Sequence, residues 1–85
     1  MKIFMINRIG LVLKEKKAGN KDLVEFLEVK KSTVSRWVNN KQQPPLGTLN
    51  KIAEFLRVDI RELLHPSDWS KSDIEGFKPK TKSQL

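Results

Sequence analysis

Two short amphipathic segments separated by only three residues constrain this chain more than any other feature. Residues 20–27 carry Leu23, Phe26 and Leu27 as an apolar stripe, and residues 31–38 carry Val34, Trp37 and Val38. The spacing predicts a helix in each. Glu28-Val29-Lys30, which joins them, has room only for a tight turn between two helices. Asn20 is expected to N-cap the first of the pair, with Asp22 in its first turn, where a carboxylate suits the helix dipole.

Further helices are expected on either side. Ile6, Ile9, Val12 and Leu13 fall at helical spacing over residues 7–17, with Asn7 as N-cap. Ala18-Gly19-Asn20 breaks that pattern, and Gly19 is expected to end the helix at positive φ. A polar loop, Asn39 to Gln43, is closed by Pro44-Pro45. A fourth helix is predicted over residues 46–56, with Leu46, Leu49, Ile52, Ala53 and Leu56 on one face. Asp59 then caps a fifth, short helix over residues 60–64, which Pro66 stops. No strand is predicted. The expectation is an all-α chain with one five-helix domain, residues 1–66. Beyond it, residues 67–85 shift to Ser, Lys and Asp and read as a flexible basic tail, with Trp69, Ile74 and Phe77 as its large apolar residues.

An 85-residue chain holds one small domain with a modest core. It has no cysteine, which excludes disulfides and zinc–thiolate sites. The opening MKIFMINRIG lacks the apolar length of a signal peptide, and no apolar run approaches the ~20 residues of a membrane span. A cytoplasmic location and no membrane partner are therefore expected. The net charge is +7, which draws a chain toward polyanions. Its distribution is more informative than its size. Residues 29–53 carry Lys30, Lys31, Arg36, Lys41 and Lys51 and no acid, while Asp22, Glu25 and Glu28 precede them and Glu54, Asp59 and Glu62 follow.

The helix over residues 31–38 lies inside that acid-free stretch. Wound at about 3.6 residues per turn, it places Lys31, Ser32, Ser35, Arg36 and the following Asn39 on one face. Val34, Trp37 and Val38 fall on the other, with Thr33 on the flank. A polar face is ordinary for a surface helix. It is also the set that reads base edges: Arg and Lys pair with guanine O6 and N7, Ser and Thr donate or accept, and a Thr methyl can touch thymine. Trp37, on the apolar side, is expected in the core rather than stacked on a base.

Residues 7–65 resemble the Cro/CI (Xre) helix-turn-helix family of bacterial and phage regulators. The resemblance is carried by Asn7-Arg8-Ile9, by Leu23 to Val29, by Lys31 to Trp37 and by Asn39, Pro44 and Leu46. It continues through Thr48 to Ala53 and Val58 to Leu64. It implies a five-helix, lambda-repressor-like fold with the third helix in the major groove of double-stranded DNA, and a bacterial or phage-encoded transcriptional regulator, most simply a repressor. Base contacts are implied at Lys31, Ser32, Thr33, Ser35 and Arg36. Phosphate contacts are implied at Asn20, Lys30, Asn39, Asn40 and Lys41. The chain departs from the family pattern in four places. Asn20 stands where Gln is common, Glu28 where the turn often has Gly, Val38 where Glu is common, and Asn40 where Gly usually follows Asn. Asn tolerates left-handed φ, so the last turn can survive.

Ile60, Leu63 and Leu64 belong to a group of apolar residues large for a short chain end. Part of the group closes the core and the remainder is expected to form a homodimer contact, which suits a palindromic operator. The alternative function is an antitoxin or other protein-interaction module on the same fold, with a protein partner and with the tail ordering on it. His65 is the single histidine, with no partner set for metal binding or catalysis. No enzymatic activity, metal or cofactor is expected.

Overall fold

The computed structural model describes residues 5–71 and 76–79. Four α-helices follow in order: α1 (Ile9–Glu15), α2 (Asn20–Leu27), α3 (Lys31–Val38) and α4 (Leu46–Leu56). Two 3-10 turns, Ile60–Leu63 and Trp69–Lys71, complete the elements. The all-α expectation holds, but the fifth helix is a 3-10 turn of four residues. Asp59 caps it as expected, its carboxylate accepting the Arg61 N–H at 2.8 Å. Pro66 and the extended backbone of Leu64 leave no length for an α-helix.

The core is one cluster drawn from all four helices and the first 3-10 turn. Ile9, Val12 and Leu13 of α1 meet Leu23 of α2, Val34 and Trp37 of α3, Leu49, Ile52, Ala53 and Leu56 of α4, and Leu63. Trp37 is 4% exposed and therefore a core residue, as its side of the helix predicts. At the α1–α3 crossing Gly10 permits close approach: a Cβ there would lie 3.0 Å from Val38 Cγ1. Val38 is thus a packing residue.

Helix ends depart from the sequence expectation in an informative way. Gly19 does not end α1 at positive φ; Lys17 does, at φ 59°. The Ala18 N–H reaches back to Leu13 O at 2.8 Å and the Lys17 N–H to Lys14 O at 3.1 Å, which satisfies the terminal carbonyls. Gly19 instead caps α2 in extended backbone, and Asn20 is the first helical residue. The Asp22 carboxylate accepts the Gly19 N–H at 2.8 Å. Glu28, Asn40 and Arg57 also take left-handed φ, at 54°, 57° and 58°. Each follows α2, α3 or α4, and among the described residues no glycine has positive φ. Asn7 sits one position before the N-cap Arg8, and its side-chain oxygen accepts the Ile9 N–H at 3.1 Å.

The segment before α1 is tied to the end of the domain. The Arg8 N–H donates to Leu63 O at 2.7 Å and the His65 N–H to Ile6 O at 2.8 Å, with Asn7 and Leu64 paired antiparallel. Leu63 is 0% exposed, so it has no surface to give a dimer contact; it closes the core. Ile60 and Leu64 pack half-buried against the same cluster. The described part of the tail holds the short turn at Trp69–Lys71, where the Asp68 carboxylate accepts from the Ser70 hydroxyl and N–H. Ile74 lies outside the described residues.

Candidate nucleic-acid interface

The three-residue connection Glu28-Val29-Lys30 is present as expected, with the left-handed Glu28 turning the chain from α2 into α3. Val34 and Trp37 anchor one side of α3 in the core. That anchoring turns the opposite side outward. Lys31, Ser32 and Arg36 are exposed and Ser35 is half-buried. Thr33, on the flank, is half-buried. The face has no acid, so the cations at Lys31 and Arg36 act outward without an intrahelical partner of opposite sign.

Asn39 is exposed and its amide nitrogen donates to Ser35 O at 2.8 Å and to Ser35 Oγ at 3.3 Å. The two side chains form one polar unit at the end of α3, with the Ser35 hydroxyl oxygen as acceptor. Lys30 and Lys41 are exposed at the two ends of α3, and Asn20 is half-buried at the start of α2.

The start of α2 and the start of α3 meet at a shallow cleft lined by Asn20, Lys21, Val24 and Lys31. The cleft brings a phosphate-contact expectation, Asn20, beside a base-contact expectation, Lys31. It also adds Lys21, which the sequence reading did not single out. The available signal was its position: a cation in the first turn of the helix whose opening residue was already assigned to the backbone of DNA.

Asn40 does not belong to this surface. It is 7% exposed, and its side chain is engaged inside the domain. Its Oδ1 accepts the N–H groups of Ile6 and Asn7, each at 2.8 Å. A phosphate needs a donor, and the buried Asn40 amide donates inward, its Nδ2 to Asn7 O at 3.1 Å, so Asn40 is withdrawn from the expected contacts.

Elsewhere, His65 lines an apolar recess with Met5, Ile6, Pro66 and Trp69. Met5, Ile6 and Trp69 are exposed there by 57%, 51% and 69%. Among the described residues no group of three or more His, Cys, Asp or Glu could hold a metal ion. No helix among them is long and apolar enough to cross a membrane.

A family model of the Cro/C1-type helix-turn-helix DNA-binding domain matches residues 8–68. A crystal structure from Bacteroides fragilis, of a protein described as a candidate DNA-binding protein, is similar at a TM-score of 0.70 and 47% identity. That match covers 73% of this chain and 100% of the other. No curated protein matches the sequence.

Proposed function

The chain belongs to the Cro/C1-type helix-turn-helix DNA-binding family, and from that premise we propose that it is a sequence-specific transcriptional regulator, acting as a repressor. The observation that carries this reading is the outward face of α3: exposed, cationic, acid-free, and held in place by Val34 and Trp37 in the core. In this reading α3 enters the major groove. Lys31 and Arg36 take guanine acceptors, and Ser32 and Ser35 approach the bases closely because they are short. Thr33 contributes from the flank. Asn20, Lys21, Lys30, Asn39 and Lys41 set the register on phosphates. The protein acts on a palindromic operator as a homodimer, in the cytoplasm of a bacterium or a phage-infected cell. Ile60 and Leu64 retain surface for the dimer contact, and Leu63 takes no part.

The test is selection from a random-sequence duplex library at near-physiological salt. An enriched motif with two-fold symmetry supports the reading and gives the site. Binding without an enriched motif overturns it and leaves only a non-specific anchor. The second reading, a protein-interaction module, draws on the exposure of Met5, Ile6 and Trp69 around one recess. Removal of residues 67–85 separates the two: a DNA reader keeps its motif, whereas a partner-binding module loses its function.

A further inference from the structure

The turn that leaves α3 is built around a cluster of three amides, two of them buried and Gln43 half-buried. Asn40 sits at φ 57°. Its N–H donates to Trp37 O at 3.0 Å, and the Lys41 N–H donates to Arg36 O at 2.9 Å. A glycine would serve this backbone equally well, since it takes left-handed φ without steric cost. The Asn40 side chain adds what glycine cannot. Besides accepting from Ile6 and Asn7, its Oδ1 accepts from Gln43 Nε2 at 3.2 Å, and its Nδ2 donates to Asn7 O at 3.1 Å. Asn7, 1% exposed, answers with its own amide, donating to Trp37 O at 2.8 Å and to Gln43 Oε1 at 2.7 Å. The three side chains, with the Asn7 main chain completing the link to Asn40, close a ring of hydrogen bonds between the segment before α1 and the loop after α3.

We propose that Asn40 is a positioning residue for DNA binding: through Asn7 and Gln43 it holds the loop that presents Asn39 and Lys41 to the phosphate backbone. The proposal rests on the DNA-binding reading above and deepens it. Asn39 and Lys41 are the immediate neighbours of Asn40, and both are exposed. Asn40 is pinned through its side chain and through the two backbone hydrogen bonds that close the helix, so the chain on either side of it has little freedom. At the far end of the loop Pro44 and Pro45 restrict the backbone again. A loop ordered before DNA arrives loses less freedom on binding than one ordered by it. Because phosphate contacts carry no sequence information, the effect of Asn40 falls equally on cognate and unrelated DNA.

Four full-length proteins test this: wild type, Asn40→Gly, Lys41→Ala and the double variant. Asn40→Gly keeps the left-handed turn and deletes the amide ring. Affinity is measured by fluorescence anisotropy on the selected duplex and on a scrambled duplex over a salt series, at a temperature where circular dichroism shows each protein folded. Asn40→Gly is expected to weaken both duplexes about three- to tenfold, leaving their ratio unchanged. Lys41→Ala is expected to lower the salt slope by about one for each bound protomer, and Asn40→Gly to lower it part of the way. The double variant is expected to lose less than the product of the two single losses, because both substitutions weaken the Lys41 contact. Asn40→Gly binding like wild type, or two losses that multiply in the double variant, overturns the proposal while leaving the DNA reading intact. A wild-type protein that binds neither duplex overturns both. If Asn40→Gly does not fold, Gln43→Ala, at the half-buried edge of the ring, takes its place with the same expected pattern and the same overturning outcomes.

Discussion

Glu28 holds the turn between α2 and α3 at φ 54° and ψ 45°, a conformation that disfavours every residue with a Cβ except Asn and Asp. Glu28→Gly should therefore raise stability by about 1 kcal/mol, or about 4 °C or more in unfolding midpoint for a domain of this size. Thermal unfolding of Glu28→Gly beside Glu28→Ala checks it: an equal gain for alanine would show that the backbone conformation is not the cause. A second residue-scale expectation concerns pH. The Arg61 side chain and then the Arg61 N–H hydrogen-bond the Asp59 carboxylate and hold its pKa below the ordinary value of 3.8. A lowered folded-state pKa gives stability that is present above the unfolded value and disappears as pH falls through the lower folded value. Melting temperature between about pH 6 and about pH 2 should fall less steeply for Asp59→Asn, which still accepts the backbone N–H, than for the wild type. At this scale the sequence was legible for Asp59 and Trp37 but not for Lys17 or Asn40. Gly19 was the obvious residue for left-handed backbone, yet a helix can end on any side chain when its terminal carbonyls and the burial of the next residue favour it. The exposed role expected of Asn40 failed for a different reason. Its partner Asn7 lies 33 residues away, and no local pattern announces a contact at that distance.

The elements themselves were readable because each of α2, α3 and α4 carries its own apolar stripe at helical spacing. What periodicity could not distinguish was a fifth α-helix from a 3-10 turn, since Ile60, Leu63 and Leu64 fit both over so short a run. Nor could it say which neighbour would cover that turn. The turn packs against α4 and the start of α1, and Leu63 is consumed by the core rather than by a second chain. Leu63→Ala should accordingly cost about 2–5 kcal/mol, a large share of the stability of a domain this small. Urea unfolding at two protein concentrations checks the assignment. A loss that is the same at both belongs to the core; a loss that shrinks on dilution, as the wild-type dimer dissociates, would return Leu63 to a dimer contact. For α3, Arg36→Ala should reduce affinity by about 1–3 kcal/mol at one base pair and relax specificity there. An equal loss on every sequence would move Arg36 from the base edge to the phosphate.

At the scale of the whole molecule, charge and symmetry act together. A net charge of +7 gives long-range attraction to any polyanion, but the steepness of its salt dependence reports how many cations sit on phosphates. Lys21, Lys30 and Lys41 are the cationic phosphate contacts proposed for one protomer, while Asn20 and Asn39 add hydrogen bonds without displacing counterions. Three neutralised phosphates correspond to a slope of about −2.7 in log affinity against log salt, and six to about −5.4. A fourfold rise in salt should therefore weaken binding about fortyfold on an isolated half-site and about a thousandfold or more on a palindrome occupied by two protomers. Titrating the same protein against a half-site duplex and the full palindrome separates the two regimes. A doubled slope on the palindrome supports paired occupancy, and analytical ultracentrifugation without DNA then shows whether the pair forms before binding. An unchanged slope would mean that one protomer makes every phosphate contact, and the homodimer would have to be abandoned even if the base-reading role of α3 survived.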